Sequence, residues 1–111
     1  MSEQYAARVE GGGIGAMKIL ALEHELPGAT AEAFQPLLKD EARRVWDLQQ
    51  SGVLREIYFR ADQHTAVLVL ECVDLEEARH LLATLPLVQA ALITFDLIPL
   101  IPYAGFARLC A

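Results

Sequence analysis

Residues 53–71, VLREIYFRADQHTAVLVLE, decide the fold. Val53 to Arg60 is rich in β-branched and aromatic side chains and reads as a strand. Ala61, Asp62, Gln63 and His64 form a short polar connection, and Thr65 to Glu71 is a second strand containing the run Ala66-Val67-Leu68-Val69-Leu70. Two such runs around a short polar link predict a hairpin. Gly52 stands just before it, and Asp74 with Glu77 just after it. The glycine is a helix stop signal, and an acid followed three residues later by Glu is a helix start signal. The hairpin is therefore flanked by two helices.

Upstream, Thr30 can cap a helical segment that runs towards Gln50, with Pro36 interrupting it so that the main helix starts near that proline. Ala16 to His24, with Ile19-Leu20-Ala21-Leu22, reads as the first strand and is ended by Pro27-Gly28. Downstream, Leu75, Ala78, Leu82 and Leu85 share one face of the second helix, which Pro86 closes. Ala90 to Leu100 is the fourth strand, followed by an irregular tail whose apolar anchors are Tyr103, Phe106 and Leu109. The order βαββαβ predicts an α+β, ferredoxin-like domain with an antiparallel four-stranded sheet over residues 16–111. Residues 1–15, with four glycines, read as a flexible leader. A phosphate-binding loop needs a helix after its glycines, whereas Gly15 precedes a strand.

The two helices can cover only one face of that sheet, and a wet second face should show alternating polarity. The third strand instead sets Ala66, Leu68 and Leu70 opposite Val67 and Val69. The fourth sets Ala91, Ile93, Phe95 and Leu97 opposite Leu92 and Ile98. Hydrophobic residues make up 54% of a short chain, more than a small monomer core absorbs. The expected cover is a second copy of the chain, giving a dimeric α+β barrel and a homodimer or higher homo-oligomer. A net charge of −6 argues against a nucleic-acid or anionic membrane partner. There is no apolar run of transmembrane length and no secretory signal, and Cys72 and Cys110 fit two reduced thiols, so the expected location is cytoplasmic.

Glu41 is the most informative single residue. Phe34, Leu37, Leu38, Val45 and Leu48 share its face at helical spacing, so its carboxyl lies on an apolar stripe. Desolvation there raises a carboxyl pKa and suits it to carry protons, while an ion pair with Arg55 is the structural alternative. Arg55, placed on one strand face with Val53, Ile57 and Phe59, could clamp a substrate carboxylate or serve as that partner. His24 at the end of strand one, Asp96 within strand four and Phe59 are candidate substrate contacts, with surface or sheet-edge roles the alternatives for His24 and Asp96. His64 and His80 read as solvated, Trp46 as a packing residue, and no His spacing suits a metal. No Ser or Thr has a His–acid arrangement for covalent catalysis.

Asp40-Glu41, the amphipathic stretch ending in Gly52, Arg55, and Thr84-Leu85-Pro86-Leu87 together resemble the muconolactone delta-isomerase family. The similarity runs from about Asp40 to Leu87. It implies a dimeric α+β barrel that can assemble further, and a cofactor-free proton shift on a small carboxylated lactone or a related intermediate of aromatic degradation. By that resemblance Glu41 is the acid/base and Arg55 orients the anionic substrate. The departures are an almost wholly apolar third strand and a tail carrying Tyr103 and Phe106. The alternative is a non-enzymatic module that binds a small ligand or assembles; a cofactor-free oxygenase would need a more polar cavity.

Overall fold

The computed structural model describes residues 16–110, so the expected leader lies outside the described residues. The chain runs β1 (Met17–Glu25), α1 (Ala31–Phe34), a 3-10 turn (Gln35–Leu37), α2 (Leu38–Gln50), β2 (Leu54–Phe59), β3 (Ala66–Cys72), α3 (Leu75–Leu82), α4 (Pro86–Gln89), β4 (Ile93–Leu100) and a 3-10 segment (Gly105–Cys110). The strands form one sheet in the order β2-β3-β1-β4, every neighbouring pair antiparallel. This is the ferredoxin-like α+β arrangement, in which each crossover helix spans a gap filled by another strand.

Local chemistry sets the boundaries. Thr30 Oγ1 accepts a hydrogen bond from the Ala33 N–H at 3.1 Å and opens α1. Pro36 falls in the 3-10 turn that separates α1 from α2. Gly52, with φ of 89°, takes the left-handed conformation after the last turn of α2. Asp74 Oδ1 accepts from the Glu77 N–H at 2.8 Å, and Glu77 Oε1 accepts from the Val73 N–H at 2.7 Å, closing a reciprocal cap on α3.

The central strands carry the core. On the helix side Ile19 and Ala21 of β1 meet Leu68 and Leu70 of β3, and Leu48, Leu54, Ala78 and Leu82 pack against them. On the opposite face Leu20, Leu22, Val67 and Val69 are half-buried, Tyr58 and Ile98 are exposed, and no described helix lies over them. Charged pairs sit at the two ends of this outer face: Lys18–Glu71 at 3.1 Å and His24–Asp96 at 2.7 Å.

Four expectations change. First, α3 stops at Leu82; Pro86 does not close it but opens α4, at a position where a missing N–H leaves no helical bond unmade. Second, β4 begins at Ile93 because Ala91 adopts a φ of 60° and the Leu92 N–H donates back to the Leu87 carbonyl at 3.0 Å. Third, β2 carries a bulge: Leu54 pairs with Leu70, yet Glu56 pairs with Val69, so Arg55 is an extra residue. Beyond the bulge the phase is reversed. Ile57 and Phe59 join Leu54 on the helix side, opposite Leu68 and Ala66, and Arg55 no longer shares their face. Trp46, expected to pack, is 58% exposed on α2.

Candidate functional site

Between α1–α2 and the sheet lies a cavity of about 630 Å³. That volume is in the range of small-molecule sites. The helices stand off the sheet here, which is why Leu38 on the apolar stripe remains 44% exposed. Phe34, Leu38 and Val45 form one wall, and Phe59, Leu68 and Phe95 form the opposite one.

Glu41 projects from α2 into this wall. Its Oε1 accepts a hydrogen bond from the Leu87 N–H at 2.9 Å. Leu87 is in the first turn of α4, where backbone N–H groups have no partner within the helix. A carboxylate of one helix therefore caps another. Burial pushes the Glu41 carboxyl pKa up, the Leu87 N–H opposes this, and the negative charge of Glu23 adds to the rise. No hydrogen bond from the described residues reaches Oε2, so one oxygen is positioned and the other is free to exchange a proton.

Glu23 enters the same cavity from β1, on the face of Ile19 and Ala21. Its Oε1 accepts from the Ala66 N–H at 2.7 Å, just past the last β1–β3 backbone pair, Leu22 with Val67. Burial pushes this carboxyl up as well; the Ala66 bond and the charges of His64 and His24 pull the other way, while Glu25 reinforces the rise. Glu25 lies at the exposed rim. His64, held at a φ of 58° at the end of the hairpin loop, stacks its ring on Phe59 with centroids 4.3 Å apart.

Of the residues singled out from the sequence, Glu41 and Phe59 line the cavity. Arg55 does not come to Glu41. The bulge directs its guanidinium to the Gly52 carbonyl at 3.5 Å and towards Glu71 at 3.9 Å, and Glu71 is on the outer face. His24 and Asp96 are brought together, Nε2 to Oδ2 at 2.7 Å, but also on the outer side of the sheet. Asp96 borders a separate hollow of about 310 Å³ with Arg79 and Thr94. The sequence reading did not single out Glu23, and it took His64 only as solvated; His64 is exposed and also borders the cavity. The signal for Glu23 was the two-residue period Ile19, Ala21, Glu23, which places it on the core side and its neighbour His24 outside. His64 carried no such signal, because its place depends on the loop conformation.

Among the described residues no three His, Cys, Asp or Glu side chains converge as a metal site requires, and no helix is long and apolar enough to cross a membrane. The site thus defines a class: a ferredoxin-like α+β domain with an acid-bearing apolar cavity between helices and sheet. A muconolactone delta-isomerase family model matches residues 20–104, and the chain belongs to that family. Comparison with curated proteins finds no match.

Proposed function

We propose that the chain is a cofactor-free isomerase that moves a proton within a small unsaturated lactone, with Glu41 as the proton carrier. The observation that carries this reading is the Glu41 carboxyl itself, half-buried in an apolar cavity, one oxygen fixed by the Leu87 N–H. In the step proposed, Glu41 in its carboxylate form takes the proton from a carbon next to the conjugated system. The electron pair moves into the carbonyl to give a dienolate. The same carboxyl returns the proton to a different carbon, which restores the carboxylate and consumes nothing. A carboxyl whose pKa is raised towards neutrality is better matched to both halves of the step.

The carboxylated substrate implied by the family resemblance was to be oriented by Arg55. That residue reaches Glu71 instead, so the proposal leaves it out. The same observation favours the second reading, a non-enzymatic module that holds an apolar ligand. Glu41→Gln separates the two, since the amide keeps an acceptor for Leu87 and removes the base. Turnover of an unsaturated lactone, followed by its ultraviolet spectrum, should fall by about two orders of magnitude or more. Equal turnover in the variant, or none in the wild-type chain, would leave the binding module.

The proposed partner is a second copy seated on the outer face, where Leu20, Leu22, Val67 and Val69 lie without a helix over them. A cytoplasmic setting accords with the two free thiols, Cys72 and Cys110.

A further inference from the structure

We propose that Glu23 is a second catalytic carboxyl of this cavity: while Glu41 is ionised, Glu23 keeps its proton and donates it in a hydrogen bond to the carbonyl oxygen of the substrate. The two acids enter from different walls, Glu23 from β1 of the sheet and Glu41 from α2. Each is fixed in the same way. Glu23 Oε1 accepts from the Ala66 N–H at 2.7 Å, and Glu41 Oε1 accepts from the Leu87 N–H at 2.9 Å. Among the described residues no hydrogen bond reaches either Oε2, so each carboxyl offers one positioned oxygen to a molecule held between them. Satisfying a lone backbone N–H requires only a neutral acceptor. A carboxyl in that place adds a proton that can be held or released.

Two ionised carboxyls in one apolar cavity repel, so the pair holds a single proton over a range of pH. The surrounding charges decide where it sits. Glu25, two residues along the same face of β1, adds negative charge beside Glu23, while the charges of His64 and His24 oppose it. Glu41 feels Glu23 as its negative neighbour, and Arg44, three residues along α2, donates to Thr84 Oγ1 at 2.7 Å. Glu25 thus favours the proton on Glu23 and the charge on Glu41. That arrangement is the one the isomerase reading needs, and the role of Glu23 rests on that reading. In the step, a Glu41 O–H bond forms as the substrate C–H bond breaks, and the electron pair moves onto the carbonyl oxygen. The Glu23 hydrogen bond to that oxygen strengthens as negative charge grows there, and the proton stays on Glu23. The Glu41 O–H bond then breaks as a C–H bond forms at the other carbon, which returns both acids to their starting states.

The test is the pH profile of kcat/KM for isomerisation of an α,β-unsaturated γ-lactone by the full chain and its variants. The wild-type profile should be a bell, falling in acid as Glu41 gains a proton and falling at higher pH as Glu23 loses its own. Glu23→Gln keeps an oxygen for the Ala66 N–H and an N–H for the carbonyl, and it cannot ionise. It should retain most of the turnover at the optimum, keep the acid limb and lose the upper one. Glu23→Ala removes the donor and should lower kcat about 100-fold with KM little changed. An upper limb that is unaltered in Glu23→Gln, or that disappears in His64→Gln instead, overturns the role of Glu23 and leaves Glu41 as the carrier. So does a Glu23→Ala chain that turns over as fast as the wild type. The Gln variant decides the matter even where the Ala variant fails to fold, because it retains the bond to Ala66. A wild-type chain without turnover removes the isomerase reading and this role with it, whereas an active wild type with an unaltered Gln profile removes this role alone.

Discussion

The two faces of one sheet treat the same alternation of side chains in opposite ways. On the helix side, Ile19, Ala21, Leu68 and Leu70 are almost fully buried, and the acids that enter, Glu23 and Glu41, are each tied to a backbone N–H. On the outer side, Leu20, Leu22, Val67 and Val69 are half-buried, and the charges there pair with one another. A half-buried acid gains from a fixed donor on one of its oxygens, because water is scarce around it. An outer acid needs only a flexible partner, and pairs of this exposed kind contribute little. What distinguishes the faces is therefore how their polar groups are satisfied, more than how apolar they are.

Truncation gives the sharpest contrast. Leu68→Ala should lower the unfolding free energy by about 2–5 kcal/mol, since a fully buried leucine leaves a cavity behind. Val69→Ala, one residue along on the other face, should lose much less in a dilute monomer. Urea unfolding of both variants measures this, and equal losses would break the comparison by showing that the outer face is already packed. Charge is the next probe. Leu22→Lys, set in the middle of the outer face, should halve the sedimenting mass of a dimer while leaving the far-ultraviolet spectrum unchanged. An unaltered mass would move the partner to another surface.

A gentler test uses pH. Glu23 and Glu41 have raised pKa values in the folded chain, so between the ordinary value of 4.5 and those raised values the folded chain binds more protons than the unfolded one. Stability from these groups is therefore whole below about pH 4.5 and declines as pH rises through the folded values. Glu25 enlarges the decline at Glu23, whereas the charges of His64 and His24 reduce it. Glu23→Gln should raise the melting temperature by a few degrees at neutral pH and little or nothing in acid. A larger gain in acid would reverse the assignment. The smallest effect is expected at Thr65, whose buried hydroxyl has no partner among the described groups. Thr65→Val should stabilise the chain by about 1 kcal/mol, read from the same urea curves.

The element order, the hairpin and the helix signals at Thr30, Gly52 and Asp74 were legible, because capping and two-residue alternation are local rules. Glu41 was legible for the same reason, as helical spacing alone puts it with Phe34, Leu38 and Val45. Arg55 was not, because a single bulged residue reverses every assignment beyond it and nothing in the composition of β2 announces one. His24 drew attention over Glu23 through its chemistry, although alternation favoured Glu23. The Glu41–Leu87 bond joins residues 46 apart in sequence, beyond the reach of any local rule.

That bond makes the Leu87 amide a spectroscopic witness. Its hydrogen is held by one oxygen of the group proposed to gain and lose the catalytic proton. Neutralising the carboxyl, by protonation at its other oxygen, weakens this acceptor, so the amide resonance should move upfield as Glu41 is protonated. A single cross-peak in a nitrogen–proton spectrum, followed against pH and again with ligand present, would then report the ionisation of a side chain that is otherwise silent. The short helix that begins at Pro86 serves, in this sense, as an electrode placed against the acid.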